Sequence, residues 1–173
     1  RISLYRGSAS GQRFEGIRLG LGMPAGAPVE VDYNTVVLAG SHTSSTGTAA
    51  FRVENAIALR LRNNIFLNAR NNTTGTAPHW AIAMGSPAAL AEIGHNDYRV
   101  SGSGGVLGTT DGSTAGNRPT LALWQAGVPA DSTSLDVNPP LINYTTNPPA
   151  LGLDTSHLTR LESGGVVIPG IDF

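Results

Sequence analysis

Apolar and polar residues alternate along this chain in short bursts, and the bursts recur. Val29-Glu30-Val31-Asp32-Tyr33-Asn34-Thr35-Val36, Leu59-Arg60-Leu61-Arg62-Asn63-Asn64-Ile65-Phe66 and Ala91-Glu92-Ile93-Gly94-His95-Asn96-Asp97-Tyr98 superimpose when Asn34, Asn64 and Asn96 are aligned, at steps of 30 and 32 residues. That register stacks Val31, Leu61 and Ile93, and likewise Val36, Phe66 and Tyr98. A second set precedes each burst: Ile17–Leu21, Ala49–Val53 and Trp80–Met84, with Leu19, Phe51 and Ile82 aligned at steps of 32 and 31. Alternation with period two is the signature of a half-buried strand. A repeat near 31 residues with three short strands in it is too strand-rich for helical repeats and too long for a hexapeptide coil.

One such unit cannot bury its apolar stripe alone, whereas stacked units bury a continuous core. The pattern predicts first strands at 17–21, 49–53 and 80–84, second strands at 29–33, 57–62 and 90–94, and third strands at 35–38, 65–68 and 97–100. Polar loops fall at 39–48, 69–78 and 101–119, where Gly102-Ser103-Gly104-Gly105 reads as flexible loop and Asp111-Gly112-Ser113 as a turn. The aligned asparagines sit at the bend between second and third strands, because Asn tolerates left-handed backbone and bonds neighbouring main chain. Stacked, their amides form a ladder. Leu135-Asp136-Val137-Asn138 offers Asn138 as a fourth rung, 42 residues after Asn96, with a short helix over 119–126 in the excess, Pro119 opening it and Gly127 stopping it. Pro139, Pro140, Pro148, Pro149 and Pro169 suit extended segments that end the stack.

Composition narrows the function. With 173 residues the chain suits one domain, 1–173, with regular coils over 17–118 and the helix, last coil and cap over 119–173. Charged residues are 13%, against about 25% in an average domain, and the net charge is -1, which argues against a nucleic-acid partner. No apolar run reaches the roughly 20 residues of a membrane span. There is no Cys, and all eleven basic residues are Arg, so thiolate and lysine chemistry are excluded within this chain.

The spacing, the asparagines and the Asn63-Asn64-Ile65-Phe66 bend resemble right-handed parallel β-helix proteins of the pectate-lyase-like superfamily. The tail is similar to the end of many bacterial secreted members: Trp124-Gln125-Ala126, then Asp131 and Ser134, then Asn138-Pro139-Pro140-Leu141-Ile142-Asn143, with Leu153, Gly164-Gly165-Val166 and Ile171-Asp172-Phe173 resembling a terminal cap. The resemblance implies an all-β solenoid of three to four coils with an irregular C-terminal cap, the C-terminal part of a longer helix. It also implies an extracellular or cell-surface setting, polysaccharide as partner, and a groove over the first strand as the place for chemistry, with Ca²⁺ the cofactor that lyases of this kind use.

On that groove the expected outward rows are Arg18-Ala50-Ala81, Gly20-Arg52-Ala83 and Gly22-Glu54-Gly85. Arg52 and Glu54 are the candidate catalytic residues, and Arg18, Arg52 and Trp124 the candidate sugar contacts. Hydrolysis needs two carboxyl groups flanking the scissile bond, and only Glu54 is there. Arg is a poor base, and one carboxylate is little for calcium. The expectation is a polysaccharide-associated module without a complete catalytic site; the alternatives are a lyase or hydrolase acting on an acidic polysaccharide, and a structural stalk or adhesin. On the second-strand face Glu30, Arg60 and Glu92 stack, with Asp32 over Arg62, which reads as a cross-coil ion ladder. His42, His79, His95 and His157 show no metal-ligand spacing and read as turn or surface residues, while Trp80 reads as core. Asn-x-Thr sequons stand at Asn71, Asn72 and Asn143.

Overall fold

The computed structural model describes residues 2–5, 13–20, 27–54, 57–85, 90–143, 152–154, 156, 159–161 and 164–171. Leu21, Gly22, Pro148, Pro149, His157, Asp172 and Phe173, which figure in the expectations above, lie outside the described residues.

The chain is mostly β, and it visits three sheets in rotation. The first sheet holds β2 (Glu15–Leu19), β5 (Thr48–Val53), β8 (His79–Met84) and β11 (Gly105–Thr109), closed by β12 (Asn117–Arg118). The second holds β3 (Val29–Asp32), β6 (Leu59–Arg62) and β9 (Leu90–Gly94). The third holds β1 (Ile2–Tyr5), β4 (Thr35–His42), β7 (Ile65–Asn72) and β10 (Asp97–Val100). Pairing within them is parallel except between β11 and β12.

The core lies between the sheets, because each sheet turns one apolar face towards it. Val31, Leu61 and Ile93 stack in the second sheet and Val36, Phe66 and Tyr98 in the third, in the register the repeat predicts. Rings run through its centre: Phe51 to Phe66 at 5.2 Å, Phe66 to Tyr98 at 6.2 Å, and Tyr98 to Trp124 at 5.9 Å between centroids. Such pairs contribute beyond their buried area.

The first sheet departs from expectation. Ile17, not Leu19, pairs with Phe51, and Leu19 pairs with Val53. This register lays Glu15 beside Arg52, and it places Gly16 where a Cβ would stand 2.5 Å from the Ala50 carbonyl oxygen. Ala50 and Ala81, expected outward, point into the core. The loops differ too. β4 and β7 run on to His42 and Asn72, four residues past the expected end, because polar side chains along them find main-chain partners. The 101–119 region holds β11, whose Leu107 is fully buried and whose Gly108 leaves room for the Trp124 ring, 2.6 Å from where a Cβ would sit.

The far end is capped. The helix α1 (Leu121–Gly127) starts two residues later than expected and takes in Gly127, and its N-cap is Thr120, whose side chain accepts from the Leu123 N–H. It buries Trp124 against the core. A 3-10 turn at Pro129–Asp131 follows, and a short hairpin pairs β13 (Leu141–Ile142) with β14 (Gly152–Leu153).

The bends also correct the expectation. Positive φ falls not on the aligned asparagines but on the residue before each: Tyr33 (57°), Asn63 (57°) and His95 (56°). The asparagines are thereby freed to bond along the stack. Asn64 Nδ2 donates to Asn96 Oδ1 at 2.9 Å, and Asn34 Nδ2 to Asn64 Oδ1 at 3.1 Å. The rung beyond Asn96 is Ser134, whose hydroxyl accepts the Asn96 N–H at 3.0 Å. Asn138 is exposed and is no rung: the 3-10 turn brings residue 134 above Asn96 first. Outside the bends, the Asn63 amide pairs with both Val166 N–H (2.8 Å) and Val166 C=O (2.7 Å), Tyr33 donates to the same carbonyl, and His95 Nδ1 bonds Gly164 C=O.

Candidate functional site

The outward face of the first sheet carries the candidate residues. Arg18, Arg52, Ala83 and Thr109 form one row, rather than Arg18 and Arg52 standing in separate rows as expected, because of the shifted register. Arg52 is buried, its Nε 2.5 Å from Glu15 Oε1 as a close ion pair rather than an aligned hydrogen bond. Its guanidinium lies 5.4 Å from the centre of the Trp80 ring, within cation–π range. Arg18 Nη2 donates to Glu54 Oε2 at 2.7 Å, and Arg13 Nη1 to Glu54 Oε1 at 3.0 Å. Arg18 also stands 3.5 Å from Glu15. Three guanidiniums and two carboxylates thus form one network, and Arg13 and Glu15 are the members that sequence reasoning missed, since the expected strand began after them.

This geometry decides the chemistry. The hydrogen bond from Arg18 holds the Glu54 carboxyl below its ordinary range, and Glu54 in turn raises Arg18. Burial lowers Arg52, and the Glu15 charge opposes it. Glu54 is favoured as an anion between two guanidiniums, and Arg52 is enclosed by Glu15 and Trp80. The exposed groups are Arg13 and Arg18, with side chains 54% and 50% accessible. Small residues adjoin the network: Ala83 pairs with Arg52, and Gly20 and Gly85 lie against Glu54.

Neither tryptophan is a sugar platform. Trp124 is fully buried, its Nε1 donating to Asp131 Oδ2 at 2.7 Å; the Ser134 hydroxyl binds the other Asp131 oxygen. Burial raises the Asp131 pKa, against the hydrogen bonds from Ser134 and Trp124. Trp80 is buried too, but outside the main core, in a separate cluster with Ala49, Ala83 and Val106, and its Nε1 donates to Asn117.

On the second sheet, Arg62 sits between Asp32 (2.8 Å) and Glu92 (2.9 Å), and Arg60 binds Glu30 at 2.8 Å. Asp32 leads the causes that raise the Arg62 pKa. The acids here are bound by arginine in the same manner as on the first sheet.

A buried polar cluster was not legible as such. His42 and His79, expected at turns or the surface, have no accessible area, and neither do Thr48, Asn68 and Arg70. Asn68 Nδ2 donates to Thr48 Oγ1 (3.1 Å), Thr48 to His79 Nδ1 (2.9 Å), and His79 Nε2 to Asn72 Oδ1 (3.0 Å). Asn72 Nδ2 is turned to Ala77 C=O, so Oδ1 is the acceptor and His79 is the neutral Nε2–H tautomer. His42 Nε2 bonds Thr46 C=O, and Arg70 reaches the carbonyls of Ala39 and Ser41. Burial pushes His79 down to about 4, with His42 and Arg70 adding to it; burial lowers His42 as well. The signal in sequence is the placement of His42 and Asn72 on the extended ends of β4 and β7, which alternation of apolar residues does not mark.

Among the described residues, no group of three or more His, Asp or Glu side chains is placed to hold a metal ion, and no helix is long and apolar enough to cross a membrane. Comparison with known proteins returned no matching family model, curated protein or solved structure.

Proposed function

We propose that this chain is the capped end of a right-handed parallel β-helix, an extracellular module that holds acidic polysaccharide along its first sheet without cutting it. The observation that carries the reading is the pairing of Glu15 and Glu54 with Arg52, Arg18 and Arg13. Among the described residues no free pair of carboxyl groups stands there to divide acid and nucleophile roles. The rotation of strands through three parallel sheets supports the solenoid. Half-exposed Arg13 and Arg18 offer guanidiniums to a sugar carboxylate.

The test is retention and viscosity together. Polyuronate and neutral polysaccharides are cast into native gels to read retention, and their viscosity is followed after adding the protein with and without Ca²⁺. Expected is retardation by polyuronate, weakened in Arg18→Ala, with no fall in viscosity. A sustained fall would overturn the non-catalytic reading. No retention on any polymer would overturn the binding reading and leave a structural stalk.

A further inference from the structure

The last strand of the third sheet meets the C-terminal segment at a buried carboxyl group. Leu135 continues the sheet past β10: it bridges Asp97 in parallel, its N–H bonding Asn96 C=O at 2.7 Å and its C=O accepting from Tyr98 N–H at 2.9 Å. Two residues on, the pairing changes character. The Val137 N–H is taken by Asp97 Oδ1 at 2.8 Å, a side chain rather than a strand. Asp97 is 1% exposed, and its Oδ2 is buried with no hydrogen-bond partner. The charged groups that face it are Asp136 from the segment above and Arg99 from its own strand. Arg99 is engaged with Asp136 at 3.1 Å. Beneath, β7 presents Ile65 at the paired position.

A buried carboxylate with one unbonded oxygen and a second acid beside it is costly; the neutral acid is far less so. We propose that the joint between β10 and the C-terminal segment is a proton-gated clasp: protonated Asp97 keeps the segment at Leu135–Val137 docked, and loss of that proton loosens it. Burial pushes the Asp97 carboxyl up to about 7; the Val137 N–H opposes this, Asp136 adds to it and Arg99 opposes it. The sign follows from the raised value. The docked form holds its proton and the opened form releases it, so docking is strongest below the ordinary value of 3.8, weakens as pH rises, and is at its weakest above about 7. Linkage between those two values makes the segment open about tenfold more often at about pH 8 than at about pH 6.

The experiment is amide NMR on the whole chain from about pH 5 to about pH 9, with exchange rates divided by the intrinsic rate at each pH. Expected is an inflection near 7 in the Val137 amide shift, and a roughly tenfold loss of protection at Leu135 and Val137 between about pH 6 and about pH 8, while amides in the middle of β7 stay level. Asp97→Asn abolishes the inflection. Asp136→Asn moves it to lower pH, since the like charge is gone and Arg99 is released towards Asp97. A flat Val137 profile in the unaltered protein overturns the proposal, as does an inflection that survives in Asp97→Asn. Should that variant fail to fold, an inflection unmoved in Asp136→Asn overturns it equally.

Discussion

Asn64→Ala removes the middle rung of the asparagine column, and the cost can be built up bond by bond. Asn64 is 1% exposed. Its two Nδ2 hydrogens are shared among Val31 C=O (2.8 Å), Arg62 C=O (2.9 Å) and Asn96 Oδ1 (2.9 Å), and its Oδ1 accepts from both the main-chain N–H (2.9 Å) and the Nδ2 (3.1 Å) of Asn34. Truncation deletes all five contacts and leaves the Asn34 N–H without that acceptor. At about 1 kcal/mol net per bond, less some relaxation, the loss is about 3–5 kcal/mol. Asn96→Ala deletes three: Nδ2 to Leu61 C=O, and the two that Oδ1 accepts from Asn64. About 2–3 kcal/mol is expected. Asn34→Ala deletes only the two donated by its part-buried Nδ2, for about 1 kcal/mol. Exposed Asn138→Ala should stay within about 0.5 kcal/mol. Urea unfolding followed by circular dichroism gives the four values. The order Asn64, Asn96, Asn34, Asn138 supports coupling between coils. Equal losses at Asn34, Asn64 and Asn96 would refute it, because each bend would then be stabilised by its own turn and not by the rung beside it.

Two further outcomes follow from the buried charges. His79 is lowered from 6.5 to about 4, so its contribution to stability is complete above 6.5 and is lost as pH falls towards 4; Asp97, raised from 3.8 to about 7, tilts the opposite way over nearly the same window. Thermal denaturation across that window should show Asp97→Asn losing stability on acidification more steeply than the unaltered protein and His79→Gln less steeply; parallel profiles would contradict both assignments. Arg52→Ala strands Glu15 in a buried site with only Arg18 at 3.5 Å, for an expected loss of about 3–5 kcal/mol in urea unfolding, and the Glu15→Gln/Arg52→Ala double variant should recover part of it.

The second and third sheets were legible because their core positions alternate cleanly and a bend residue marks the register. Val31, Leu61 and Ile93 need no tertiary information to be aligned. The first sheet offered less. β11 puts little but Leu107 into the core, and its glycines read as loop until Trp124 is known to lie against Gly108. Its first step slid by two residues because Ile17 and Leu19 fit the apolar pattern equally well, and the choice between them rests on charges, Glu15 against Arg52, that are distant in sequence. The ends of β4 and β7 were hidden for a related reason. Asn68 and Arg70 are buried with carbonyls of neighbouring coils as acceptors, and His42 with the Thr46 carbonyl of its own loop. At the candidate site, Arg18, Arg52 and Glu54 do come together; their ion pairs, Arg18 with Glu54 and Arg52 with Glu15, depended on a register that apolar spacing alone does not set. Trp124 was identifiable as important in the tail, but its direction was settled by Asp131, seven residues on.

The grip of Tyr33 and Asn63 on Val166 ties the ends of the molecule together across 133 and 103 residues of chain. In a simple repeat array each unit touches only its neighbours, and the stack can fray one unit at a time. Here the C-terminal segment at Val166 is fastened to bends of the first and second coils, so peeling the far end also strips those corners of their lining. Unravelling is thereby made a concerted event, and assembly must wait for contacts of long sequence separation, which places folding towards the slow end for a chain of this size.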